Sequence, residues 1–85
     1  METFSYAIRD VVGLHARPAG RLVKEAGKFV SKITLAANDK VVDAKRLMQL
    51  MSAGITQGTK VTVSVEGTDE KEAAEALRLF FEKNL

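Results

Sequence analysis

Phe4, Tyr6 and Ile8 alternate with Ser5 and Ala7, the two-residue period of a strand with one buried face. From Ala16 the period lengthens. Ala19, Leu22, Val23 and Ala26 recur at helical spacing, Arg21, Lys24 and Glu25 fall on the other side, and Gly27 marks a stop. The spacing predicts a helix over 16–26. Ile33 and Leu35 share one face of a second strand. Asn38-Asp39 is turn chemistry, and Val41-Val42 begins a return strand, so the segment predicts a hairpin. Leu47, Leu50 and Met51 form a short helical stripe that ends before Gly54. Val61, Val63 and Val65 alternate with Thr62 and Ser64, the clearest strand in the chain. Asp69 and Glu72 have the spacing of a capping box. They predict a last helix with Ala73, Ala74, Leu77, Phe80 and Phe81 on its apolar side. Lys71/Glu75 and Arg78/Glu82 are spaced for ion pairs one turn apart.

The predicted order is β-α-β-β-α-β-α. Each strand carries one apolar face, so the expected fold is α+β, an antiparallel sheet with helices packed on one face.

Composition narrows the chemistry. The 85 residues suffice for a single domain spanning 1–85. There is no cysteine and one histidine, so neither a disulfide framework nor a zinc site is expected, and no metal or cofactor is called for. The N-terminal stretch has no basic and apolar pair of regions like a secretory signal, and no apolar run approaches the roughly 20 residues of a membrane span. These features lead us to expect a cytoplasmic protein with no membrane insertion. A net charge of +2 suits acidic protein partners. No Lys/Arg block with interleaved aromatics is present, so nucleic acid is not an expected partner.

The chemistry concentrates at Gly13-Leu14-His15-Ala16-Arg17-Pro18-Ala19, which holds the only histidine and the only proline. Gly13 permits a tight turn. His15 stands where the first helix starts, and Pro18 suits a first turn because its missing N–H would have no helical partner. Backbone N–H groups and the helix dipole attract anions there, and Arg17 adds a fixed charge suited to phosphate oxygens. A nucleophile beside an anion site points to phosphoryl chemistry on His15. On these residues alone, an ordinary surface histidine at a helix start remains the competing reading.

Two segments give the chain a resemblance over its whole length. Gly13 to Ala19 is similar to the active-site signature of the HPr family, the histidine phosphocarriers of the bacterial phosphoenolpyruvate-dependent sugar phosphotransferase system. Ala44-Lys45-Arg46-Leu47-Met48-Gln49-Leu50-Met51-Ser52-Ala53-Gly54-Ile55 resembles the family's second-helix signature, and Gly67-Thr68-Asp69-Glu70 its lead into the last helix. The resemblance implies an open-faced β-sandwich with four antiparallel strands and three helices on one face. It implies that His15 accepts a phosphoryl group from enzyme I and passes it to sugar-specific IIA components, with Arg17 as the second site residue. The backbone N–H groups of Ala16 and Arg17 then stabilise the phosphate. It also implies a carrier protein, not a stand-alone enzyme, acting as a monomer.

The same resemblance offers Leu47, Met48 and Met51 as partner-docking residues, although core packing competes for Leu47 and Met51. Methionines suit a surface that accepts several partners. Gly20 and Lys24 fall on the exposed side of the first helix. Gly20 allows either close partner approach or close helix packing. Arg21, Lys24, Lys45 and Arg46 have the makings of a basic rim. Arg46 is a departure, since many family members from low-GC Gram-positive bacteria carry a regulatory serine there. Arginine cannot accept a seryl phosphate. Two other readings stay open: a paralogue serving a regulatory, nitrogen-type relay, and a binding module that takes no phosphate.

Overall fold

The computed structural model describes residues 1–85. Its elements are β1 (Glu2–Ala7), α1 (Ala16–Ala26), β2 (Lys32–Ala37), β3 (Lys40–Asp43), α2 (Leu47–Ser52), β4 (Lys60–Glu66) and α3 (Glu70–Asn84). The order is the one the hydrophobic periods predict. The four strands form one antiparallel sheet in the order β1-β4-β2-β3.

Register follows from the two-residue period. Val63 lies opposite Phe4 on one side and Leu35 on the other, so the apolar faces of three strands coincide. Ile33, Leu35, Val61, Val63 and Val65 are buried beneath the helices, while Ser5 and Thr62 meet through their hydroxyls on the open face. The β2–β3 turn uses Asn38 and Asp39 at φ 52° and 64°, the left-handed pair that a two-residue hairpin requires.

One cluster of 21 buried residues joins sheet and helices. Phe81 of α3 is its largest fully buried side chain. It meets Phe4, Tyr6 and Phe80 edge-on, with ring centroids 6.0, 5.6 and 6.2 Å away.

Two local expectations are corrected. First, Asp69 and Glu72 form no capping box. The Asp69 side chain does not cap α3. Its carboxylate instead accepts the Val30 and Ser31 backbone N–H groups at 2.9 and 3.0 Å and the Ser31 hydroxyl. Glu70 Oε1 accepts the Gly67 N–H at 3.1 Å. Three long-range donors outcompete one local cap. Second, the ion pairs expected at Lys71/Glu75 and Arg78/Glu82 do not form. Arg78 reaches back to Glu75 at 3.8 Å and lies over the Phe4 ring at 5.4 Å, because that ring offers it a second attraction. Of the stripe Leu47, Leu50 and Met51, which the sequence leaves open between core and docking surface, only Leu50 is buried. A helix of six residues has too few turns to send a whole stripe inward.

The Ser31 hydroxyl, then the Val30 N–H, hold the Asp69 carboxyl below the usual aspartate range. A lowered folded-state pKa contributes stability above the unfolded value of 3.8, and that contribution is lost as pH falls through the folded value. Urea unfolding of the wild type should therefore show stability falling through this acidic window. Asp69→Asn should be weaker at neutral pH and show a flatter acid profile. Parallel pH profiles for the two proteins would contradict the assignment.

Candidate functional site

The loop between β1 and α1 is built to present one side chain. The Asp10 carboxylate accepts the Val12 N–H at 2.9 Å, and the Asp10 carbonyl accepts the Gly13 N–H at 3.1 Å. Gly13 then sits at φ 79°. A Cβ here would lie 2.7 Å from both the Ile55 carbonyl oxygen and Thr56 Cα, so only glycine fits. The Leu14 N–H donates to that same Ile55 oxygen at 3.1 Å, and Leu14 is buried. These contacts anchor the residue immediately before His15.

His15 is the N-cap of α1, with extended backbone at φ −93° and ψ −175°. Its imidazole makes no capping hydrogen bond and stands exposed. Its carbonyl accepts the Ala19 N–H at 2.9 Å, starting the helix. The N–H groups of Ala16 and Arg17 precede the first helical bond and are left without partners. Pro18 has no N–H to offer. The helix end therefore presents two free backbone donors, with no acidic residue in its first turn.

Asp10, His15, Arg17, Pro18, Arg21 and Asn84 line a shallow depression of about 210 Å³. Arg17 is exposed and makes no ion pair or side-chain hydrogen bond within the protein. Two arginines against one aspartate leave the depression positive, which suits an incoming phosphate. Sequence reasoning missed two of these residues. Asp10 reads as loop chemistry, and Asn84 arrives from the end of α3, with its amide held by the Phe80 carbonyl at 3.0 Å. No local pattern announces a residue delivered by packing.

α2 lies against α1. Met48 is 78% exposed, Leu47 39% and Met51 43%. Packing thus claims Leu50 and leaves the other three apolar side chains at the surface. On α1, a Cβ at Gly20 would meet nothing within 4 Å, so internal helix packing does not require this glycine. Lys24 and Arg21 are exposed.

The basic rim is thinner than the sequence suggests. Lys45 is half-buried and donates to the Phe29 carbonyl at 2.7 Å, so its charge is spent on the interior. Arg46 is the N-cap of α2, where its side chain forms no cap, and it lies 3.7 Å from Asp43.

Known proteins are similar to this chain over most of its length. The family model described as the PTS HPr component phosphorylation site matches residues 2–83. Phosphocarrier protein HPr of Mycoplasma capricolum is 46% identical over 78 residues, covering 92% of this chain and 88% of its own. Phosphocarrier protein HPr of Mycoplasma genitalium is 42% identical over 85 residues, covering 99% and 97%. The crystal structure of HPr from Thermoanaerobacter tengcongensis superposes with a TM-score of 0.93 at 43% identity, covering 98% of this chain and 93% of that one.

Proposed function

This chain belongs to the HPr family, the phosphocarriers of the phosphotransferase system, and from that premise we propose that His15 accepts a phosphoryl group from phosphorylated enzyme I and hands it to a sugar-specific IIA component. The observation that carries the reading is the exposed His15 imidazole at the N-terminus of α1, beside two unpartnered N–H groups and the unpaired Arg17.

Imidazole attacks through the lone pair of an unprotonated ring nitrogen. One ring nitrogen attacks the phosphorus carried by phosphorylated enzyme I, forming the N–P bond as the bond from phosphorus to the donor atom of enzyme I breaks. The phosphoryl group moves from the donor to the imidazole without release to water. Charge develops on its oxygens in the transition state, where the Ala16 and Arg17 N–H groups and the Arg17 guanidinium donate. The carrier supplies the acceptor and the anion site, and each partner supplies the rest. It acts as a relay intermediate in the cytoplasm, as one domain and one copy, and does not turn over a substrate of its own.

Leu47, Met48 and Met51 offer apolar contact beside the site, with Gly20, Lys24 and Arg46 at the edges of the same docking surface. Transient interfaces of this kind are modest in area. Arg46 also removes the hydroxyl that a seryl kinase would modify, so the phosphoseryl branch of regulation has no substrate at this position.

Intact mass after incubation with phosphoenolpyruvate, magnesium and enzyme I tests the proposal. The expected product carries one acid-labile phosphate, which a IIA domain then removes. Incubation with ATP and the family's seryl kinase is expected to add nothing. No uptake in the first reaction would sink the carrier reading, and acid-stable labelling in the second would restore a seryl site. A preference for nitrogen-type partners would transfer the same chemistry to a regulatory relay.

A further inference from the structure

We infer that Asn38, in the turn between β2 and β3, is a positioning residue for the His15 loop, acting through the segment that follows α2. The carbonyls at the end of a helix lack partners within it. Here they are taken up by the hairpin. Lys40 Nζ donates to the Ser52 carbonyl at 2.9 Å. The Asn38 amide nitrogen donates to the Ala53 carbonyl at 3.0 Å and to the Gly54 carbonyl at 2.9 Å. Both amide hydrogens are thus used on successive carbonyls. With two acceptors facing it, the amide has only one satisfying orientation.

The next carbonyl along the chain, that of Ile55, accepts the Leu14 N–H at 3.1 Å, one residue before His15. Gly13 lies flush against Ile55 and Thr56. On the far side, the Thr56 N–H is held by the Thr59 hydroxyl at 3.1 Å. The segment that supports the His15 loop is therefore clamped on one flank by Asn38 and on the other by Thr59. A shift of the Gly54 carbonyl moves Ile55, and with it the hydrogen bond that seats Leu14.

Asn38 serves two separable ends. At φ 52° it makes the turn, a task asparagine, aspartate or glycine can perform. Only a donor side chain can also clamp Ala53 and Gly54. Asp39, at φ 64°, makes the turn and no hydrogen bond to that segment.

The inference rests on His15 being the phosphoryl acceptor. Asn38→Asp keeps size and turn but puts an oxygen in place of the donor. Asn38→Gly keeps the turn and removes the side chain. In both, the Leu14 amide is expected to exchange with solvent about tenfold faster. The kcat for phosphoryl transfer from phosphorylated enzyme I should fall about tenfold, because a small misplacement of the nucleophile costs rate. KM should stay within about twofold, since α2's exposed face is unaltered. Asp39→Gly should change none of these.

A kcat within about twofold of wild type in Asn38→Gly would overturn the inference, whether or not the Leu14 amide moved. A purely structural role would lower the unfolding midpoint and spare kcat. Should Asn38→Asp fail to fold, Asn38→Gly decides alone, since glycine is at ease at this φ. If wild type took no phosphate, the carrier reading would fall, and the amide exchange would still report on the clamp.

Discussion

His15→Ala is expected to take up no acid-labile phosphate from enzyme I, and its folding stability should stay within about 0.5 kcal/mol of wild type. The two halves of this result have separate causes. On the reading proposed above the imidazole is the acceptor, and the one carboxylate in the depression, Asp10, is engaged with the Val12 N–H, so loss of the ring removes the acceptor itself. Yet the ring is exposed and makes no capping hydrogen bond, so truncation costs the fold almost nothing. Mass spectrometry and thermal unfolding of the same sample check both. Acid-labile label on the variant would move the acceptor elsewhere. Arg17→Ala sharpens the comparison. The acceptor remains and the Arg17 N–H remains, but the guanidinium is gone. Transfer should slow roughly 10–100-fold, near the low end of what a positioned charge donor supplies.

Phe81→Ala is expected to destabilise by about 4 kcal/mol, the range for removing a buried aromatic ring. Phe81 is fully buried and gathers Phe4, Tyr6 and Phe80 around it. Its loss opens a cavity where α3 crosses β1 and forfeits three edge-to-face contacts at once. A domain of this size holds only about 5–15 kcal/mol in all. The variant should therefore melt roughly 20 °C lower, by the usual conversion for small domains. Urea unfolding at neutral pH gives the energy directly. A loss below about 2 kcal/mol would mean that neighbouring rings collapse into the space.

The strands and α1 were legible because their evidence is periodic and local. Val61, Val63 and Val65 announce a buried face without help from any distant residue. His15 was legible because glycine, proline and a helical stripe surround it in the chain. What stayed hidden depends on partners far away in sequence. Asp69 reads as a cap until Val30 and Ser31 arrive to take its oxygens. Asn38 reads as a turn residue and nothing more, because its second role needs the carbonyls of Ala53 and Gly54. Lys45 reads as surface charge until the Phe29 carbonyl draws it inward. The exposure of Leu47 and Met51 was undecidable from spacing, since a short helix chooses its inward residue by how its ends are tied. The family signatures supplied the site's meaning, but they did not place Asp10 and Asn84 at its rim.

Pro18 has a consequence for traffic through a carrier. A phosphoryl group presents three oxygens, and the helix end answers with two backbone donors because the third position has no hydrogen to give. One more charge-assisted hydrogen bond would be worth about 1.5–3 kcal/mol, enough to shift the partition between holder and recipient by tenfold or more. The cargo would then accumulate where it should only pause. If His15 is the acceptor proposed above, a proline in the first turn leaves the backbone hold one donor short, with the mobile Arg17 guanidinium as the remaining partner, and this favours onward transfer over retention.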